Sequence, residues 1–115
     1  MTKYNFSAQA DRFLKARMAL MAPHRDGEEE SFILARTECR YAFNNFKVAW
    51  VDNKDARVWL ETIQRFIDNT DVQGPRENLV QCIRAMDIEE KSEFSKAVEE
   101  LASWFREKSW SDTES

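Results

Sequence analysis

Along most of this chain apolar side chains return at steps of three and four residues, the spacing that lines one face of an α-helix. The first such stretch covers residues 7–22. Ala10, Phe13, Leu14, Met18, Leu20 and Met21 give it a broad apolar side, Ser7 is placed to cap its start, and Pro23 ends it. His24, Arg25, Asp26 and Gly27 then read as a turn. The second and strongest stretch opens on Glu28, Glu29 and Glu30, where negative charge suits the positive end of a helix. Phe32, Ala35, Cys39, Ala42, Phe43, Phe46, Ala49 and Trp50 follow in register, so the pattern predicts one unbroken helix as far as Trp50.

A break at Asp52 and Asn53 precedes a third helix over residues 55–68, with Trp59, Ile63, Phe66 and Ile67 inward and Val58 and Leu60 flanking. The polar loop 69–74 leads to Pro75, which suits the first position of a fourth helix over 75–86, with Leu79, Cys82, Ile83 and Met86 on its apolar side. Asp87 and Glu90 have the spacing of a capping box and begin a fifth helix that runs to about 108. Phe94, Ala97, Val98, Leu101, Trp104 and Phe105 form its stripe, while Glu89, Glu93, Lys96, Glu99, Glu100 and Ser103 face water. Short links between such helices predict an all-α fold, a four- or five-helix antiparallel bundle forming a single domain over 1–115, with a flexible C-terminal tail at 109–115.

Composition supports that reading. With 115 residues, 43% of them hydrophobic, the chain is long enough for one core. Only two glycines and two prolines are present, too few for the tight turns of a strand-rich fold. The apolar runs are only a few residues long, far short of the ~20 needed to cross a bilayer, and charges interrupt the first apolar residues where a signal peptide needs none. The expected compartment is the cytoplasm. Cys39 and Cys82 each fall on an apolar helix face and read as two buried thiols.

Charge narrows the partners. A net charge of −4 does not draw nucleic acid or an anionic membrane over the whole surface. The distribution is uneven: Lys3, Arg12, Lys15, Arg17 and Arg25 stand against Asp11 in the first quarter, whereas acidic residues dominate after Pro75. Opposed charge at the two ends, together with many aromatics, predicts a homodimer.

Candidate chemistry is sparse. His24 is the single histidine and lies in a predicted turn, so a nucleophile–histidine pair or a multi-histidine metal site has nothing to build on. The carboxylate–histidine pairs of a di-iron bundle are missing. The loop starting at Asn69 has oxygen-bearing residues at alternate positions and Gly74 at the sixth, as in a calcium-binding loop, but the twelfth position is Val80 where a bidentate glutamate belongs. No catalytic residue, metal ligand or cofactor is therefore predicted, and the chain is not read as an enzyme. Arg17, amid Phe13, Leu14, Leu20 and Met21, must either reach water or find a carboxylate.

By elimination the leading expectation is a noncatalytic protein–protein interaction module of inhibitor, immunity or adaptor type. Glu93, Glu99 and Glu100, with Glu89, would face a basic partner, and Trp50 and Trp110 would be its anchors. The alternative is a helix-turn-helix-like DNA-binding regulator over about 55–86, with Arg76, Asn78, Gln81 and Arg84 as base readers. Glu77 among those donors and the acidic balance weigh against it.

Overall fold

In the computed structural model, five α-helices and one 3₁₀ turn follow one another: α1 (Ser7–Met21), α2 (Glu28–Ala42), the 3₁₀ turn Val48–Trp50, α3 (Lys54–Asn69), α4 (Arg76–Ala85) and α5 (Ile88–Glu114). The structure describes the backbone of residues 6–21 and 27–114 and the side chains of those residues up to 108. The expectations for His24 and for the side chain of Trp110 lie outside the described residues.

The all-helical bundle is present as predicted. α1 lies between α2 and α5, α3 packs along the other side of α5, and α4 lies against α2. Its core divides into two aromatic groups, and all eight phenylalanines belong to them. At one end the rings of Phe66 and Phe94 stack at 3.8 Å, with Phe32 6.2 and 6.1 Å away. At the other, Phe13 stacks on Phe105 at 5.3 Å, and Phe6, Phe46 and Trp104 close around the same ring at 5.5, 6.0 and 4.8 Å. Small buried residues, Ala16, Ala35, Cys39 and Ala97 among them, complete the core.

The second helix is shorter than its apolar pattern. It ends at Ala42, and Asn45 adopts a left-handed backbone with φ of 56°. Asparagine accepts that geometry more readily than most residues. The turn then returns Phe46 to the core, against Phe43 and Phe105, which is why the hydrophobic spacing continues although the helix does not. Smaller corrections follow the same logic. Ser7 is the first helical residue rather than the cap, because the Phe6 carbonyl accepts the Ala10 N–H at 2.9 Å. Pro75 stands at the cap of α4, one position before its first turn. In α3, Leu60 and Ala56 are fully buried, whereas Val58 is exposed and Trp59 only partly covered. The burial arc is therefore centred nearer Leu60 than Trp59. Asn53, read as a break, caps α3 by accepting the Ala56 N–H at 2.9 Å.

Three long polar side chains close the helix ends. Gln9 is buried, and its Nε2 donates to the Ala42 carbonyl at 3.0 Å, at the end of α2. Arg36, only 7% exposed, donates from Nε to the Thr70 hydroxyl at 2.6 Å and from a terminal nitrogen to the Ile67 carbonyl at 3.2 Å. Thr70 in turn donates to the Phe66 carbonyl at 2.7 Å, so the end of α3 is satisfied by one arginine–threonine unit. Arg57 donates to the Val51 and Ala49 carbonyls at 2.5 and 3.2 Å and holds the 3₁₀ turn against α3.

Two stability measurements check this account. Phe94→Ala removes a ring from the stacked pair and is expected to cost ~3–5 kcal/mol in urea denaturation, as for a large aromatic taken from a close-packed core. Arg36→Ala is expected to cost ~2–3 kcal/mol and to speed hydrogen exchange at the Thr70 amide, because charge-assisted hydrogen bonds to buried acceptors are lost. Arg36→Lys should recover little, since one ammonium does not reproduce the planar fork.

Candidate functional site

The sequence nominated two surfaces, and their residues fare differently. On α5, Glu89, Glu90, Glu93 and Glu99 are exposed and Glu100 is half-buried. Glu90 and Glu93 edge a shallow depression between α5 and α3, whose other walls are Thr62, Arg65, Phe66 and Asn69. At about 100° per residue, Glu89 and Glu100 fall on the same side of α5 as Glu93, whereas Glu99 is turned about 120° away from Glu93. Glu93 and Glu100 thus share an acidic edge that Glu99 does not join.

Trp50 is 44% exposed and stands edge-on to Phe46 at 6.1 Å. That places it by the Phe105 group, about 17 Å along α5 from the Phe94 group where Glu93 lies. The tryptophan and the glutamate are therefore not parts of one compact site.

Different fates await the glutamates of α2 and α5. Glu29 pairs with Arg84 at 2.9 Å, Glu30 with Arg76, and Glu38 with Arg12 at 3.0 Å. The first two, which suit the positive end of α2, also attach α4 to its start. The hydrogen bond from Arg84 holds the Glu29 carboxyl below its ordinary pKa, and the same contact raises that of Arg84. Arg12 also lies over the Tyr41 ring at 4.8 Å. By contrast, Glu89, Glu90, Glu93, Glu99 and Glu100 take part in no ion pair among the described residues.

The nominated base readers on α4 are all engaged within the chain. Arg76 and Arg84 are in the two ion pairs just described, the Asn78 amide donates to the Gln73 carbonyl at 2.8 Å, and Gln81 donates to Glu77 at 3.1 Å. Glu30 and Glu29 offset the charge of Arg76 and Arg84, and Glu77 stands among them, so this side has no surplus of the positive charge a DNA reader needs.

In the loop after α3, Asn69, Asp71 and Gln73 are all exposed, while Thr70 is buried on Arg36. Among the described residues no group of three His, Cys, Asp or Glu side chains is arranged to hold a metal ion. Cys39 is fully buried, and burial, with Glu38 adding to it, pushes its thiol well above the ordinary cysteine range, which suppresses the thiolate. Cys82 is only half-buried, with its thiol 3.6 Å from the Asn69 carbonyl. The burial expected of both thiols holds fully for one.

Sequence reasoning missed Arg36, Gln9 and Arg57, which do more for the fold than any residue it nominated. A signal for the first two was present: Arg36 is four residues after Phe32 and Gln9 four before Phe13, each inside an apolar stripe. Arg17, expected to reach water or find a carboxylate, is half-buried, has no ion pair among the described residues and keeps its Nε buried without a hydrogen-bond partner. Comparison of the chain with protein-family models, curated proteins and solved structures finds no match. Among the described residues no helix is long and apolar enough to cross a membrane.

Acid titration followed by NMR tests the α2–α4 contact. Because its folded pKa is depressed, Glu29 contributes stability above its unfolded pKa near 4.5, and that contribution is lost as pH falls through the lower folded value. Arg84→Ala should return the Glu29 midpoint toward 4.5 while leaving helix content unchanged.

Proposed function

We propose that this chain is a noncatalytic protein–protein interaction module of inhibitor, immunity or adaptor type, and that its acidic α5 edge meets a basic partner. The observation that carries the reading is the contrast between two sets of glutamates. Three of the four glutamates of α2 are neutralised within the chain, Glu29 by Arg84, Glu30 by Arg76 and Glu38 by Arg12, whereas Glu89, Glu90, Glu93 and Glu100 line one edge of α5 without an ion-pair partner among the described residues.

Unpaired like charges in a row repel one another and destabilise the helix that carries them. A cationic partner removes that repulsion, speeds encounter at low salt and fixes register. Phe66 at the base of the neighbouring depression supplies a little apolar surface, and Arg65 beside it gives the edge a mixed pattern that discriminates among basic partners. The helix-turn-helix alternative has no such support, because its four donors are occupied.

The test is charge reversal at exposed positions. Glu93→Lys with Glu90→Lys is expected to leave the helical circular dichroism spectrum intact. Capture of the partner from host extract should fall at least ~10-fold, as for a mutated electrostatic interface, and the wild-type complex should weaken as salt rises. Equal capture by wild type and the double variant refutes the reading. Titration with duplex DNA at low salt should give no binding that Arg76→Ala or Arg84→Ala weakens; binding of that kind would move the function to α4.

A further inference from the structure

Along its outer side α1 carries an exposed apolar strip. Met18 is 61% and Met21 71% exposed, with Leu14 exposed beside them. Arg17 is the partly covered residue at its inner margin, its Nε buried without a hydrogen-bond partner and no carboxylate paired to its guanidinium among the described residues.

Helix geometry locates the strip. Arg12 and Gln9 bond to α2, which fixes the α2 side of α1; Leu14, Arg17 and Met21 project from the opposite side, toward α5. On α5, Glu90 and Glu93 mark the side shared with α3, so Glu99 and Arg106, both exposed, border the side shared with α1. The strip and these two charges therefore flank the outside of a single seam.

The register of that seam is set by Phe105, on which both Phe6 and Phe13 pack, so it is level with the turn between them. Two turns farther along α1 lies Arg17, and two turns back along α5 lies Glu99. Across the seam, the positive charge of Arg17 on α1 and the negative charge of Glu99 on α5 thus stand at matching levels.

From this arrangement we infer that the α1–α5 seam is a docking surface for a second copy of this chain, with Arg17 of each copy opposite Glu99 of the other. A two-fold axis parallel to the helices lays α1 of one copy over α5 of its partner and preserves the level of every residue. Met18 and Met21 then cover the shorter side chains of α5, such as Ser95, and methionine adapts to such surfaces readily. The Arg17–Glu99 pair occurs twice. The acidic edge at Glu93 lies on the other side of α5 and stays free, so this surface is independent of the one proposed for a basic partner.

Sedimentation equilibrium of the full chain tests the inference. The wild type should be dimeric at ~100 μM, well above a micromolar dissociation constant. Glu99→Lys and Arg17→Glu should each weaken the dimer at least ~10-fold, since each sets like charges face to face twice. Mixing the two variants should restore a heterodimer, because both of its charge pairs are again opposite. Met18→Lys, at an exposed position that the fold does not use, should also give monomer with unchanged circular dichroism, which separates loss of docking from loss of folding. A monomeric wild type overturns the proposal and leaves the strip to another occupant. So does a dimer indifferent to these substitutions, or a mixture of the two charge variants that stays monomeric.

Discussion

A helix leaves its last carbonyls without partners, and this chain has few means of satisfying them. Glycine in a left-handed conformation just past the final turn is the common device. The two glycines here stand elsewhere: Gly27 precedes α2 and Gly74 lies in the loop before α4, each at positive φ. Asn45 takes the left-handed position after α2, and long side chains reach in from other helices to bond the exposed oxygens. Gln9 joins α1 to the end of α2, and Arg36 joins α2 to the end of α3. A single set of contacts thus caps the helices and fixes how they sit together.

Arg36 shows the cost of that arrangement. Burial pulls its pKa down from the ordinary arginine value, with the nearby charge of Arg40 acting in the same direction. Arginine nevertheless remains protonated at any pH the protein meets. The guanidinium is tolerated because Thr70 and Ile67 accept from it and because it lies at the negative end of α3, where a cation is favoured.

Much of this architecture was legible in the sequence, because burial in a helical bundle follows a simple period. Phe13, Phe32, Phe66, Phe94 and Phe105 all lie where their spacing puts them. The failures share a cause. Phe46 kept its spacing across a turn, so periodicity alone could not show that α2 had ended at Ala42. Arg36 and Gln9 sit within apolar stripes, but a pattern that counts only apolar types passes over them. The candidate surfaces were less legible. Which glutamates are neutralised depends on where α4 packs, and that contact joins residues far apart in the chain, such as Glu29 and Arg84. Local pattern carries no trace of it.

The order of helices in space has a consequence for synthesis. α1 is covered on one side by α5, which is made only after three intervening helices, and the Phe13 ring stacks on Phe105. Until α5 has left the ribosome, a nascent α1–α2 hairpin leaves a face of that ring bare and cannot close its core. Assembly must therefore be a late, cooperative event rather than one that proceeds helix by helix. In that interval the chain depends on speed, or on a chaperone, to keep its bare aromatic surface from sticking to others.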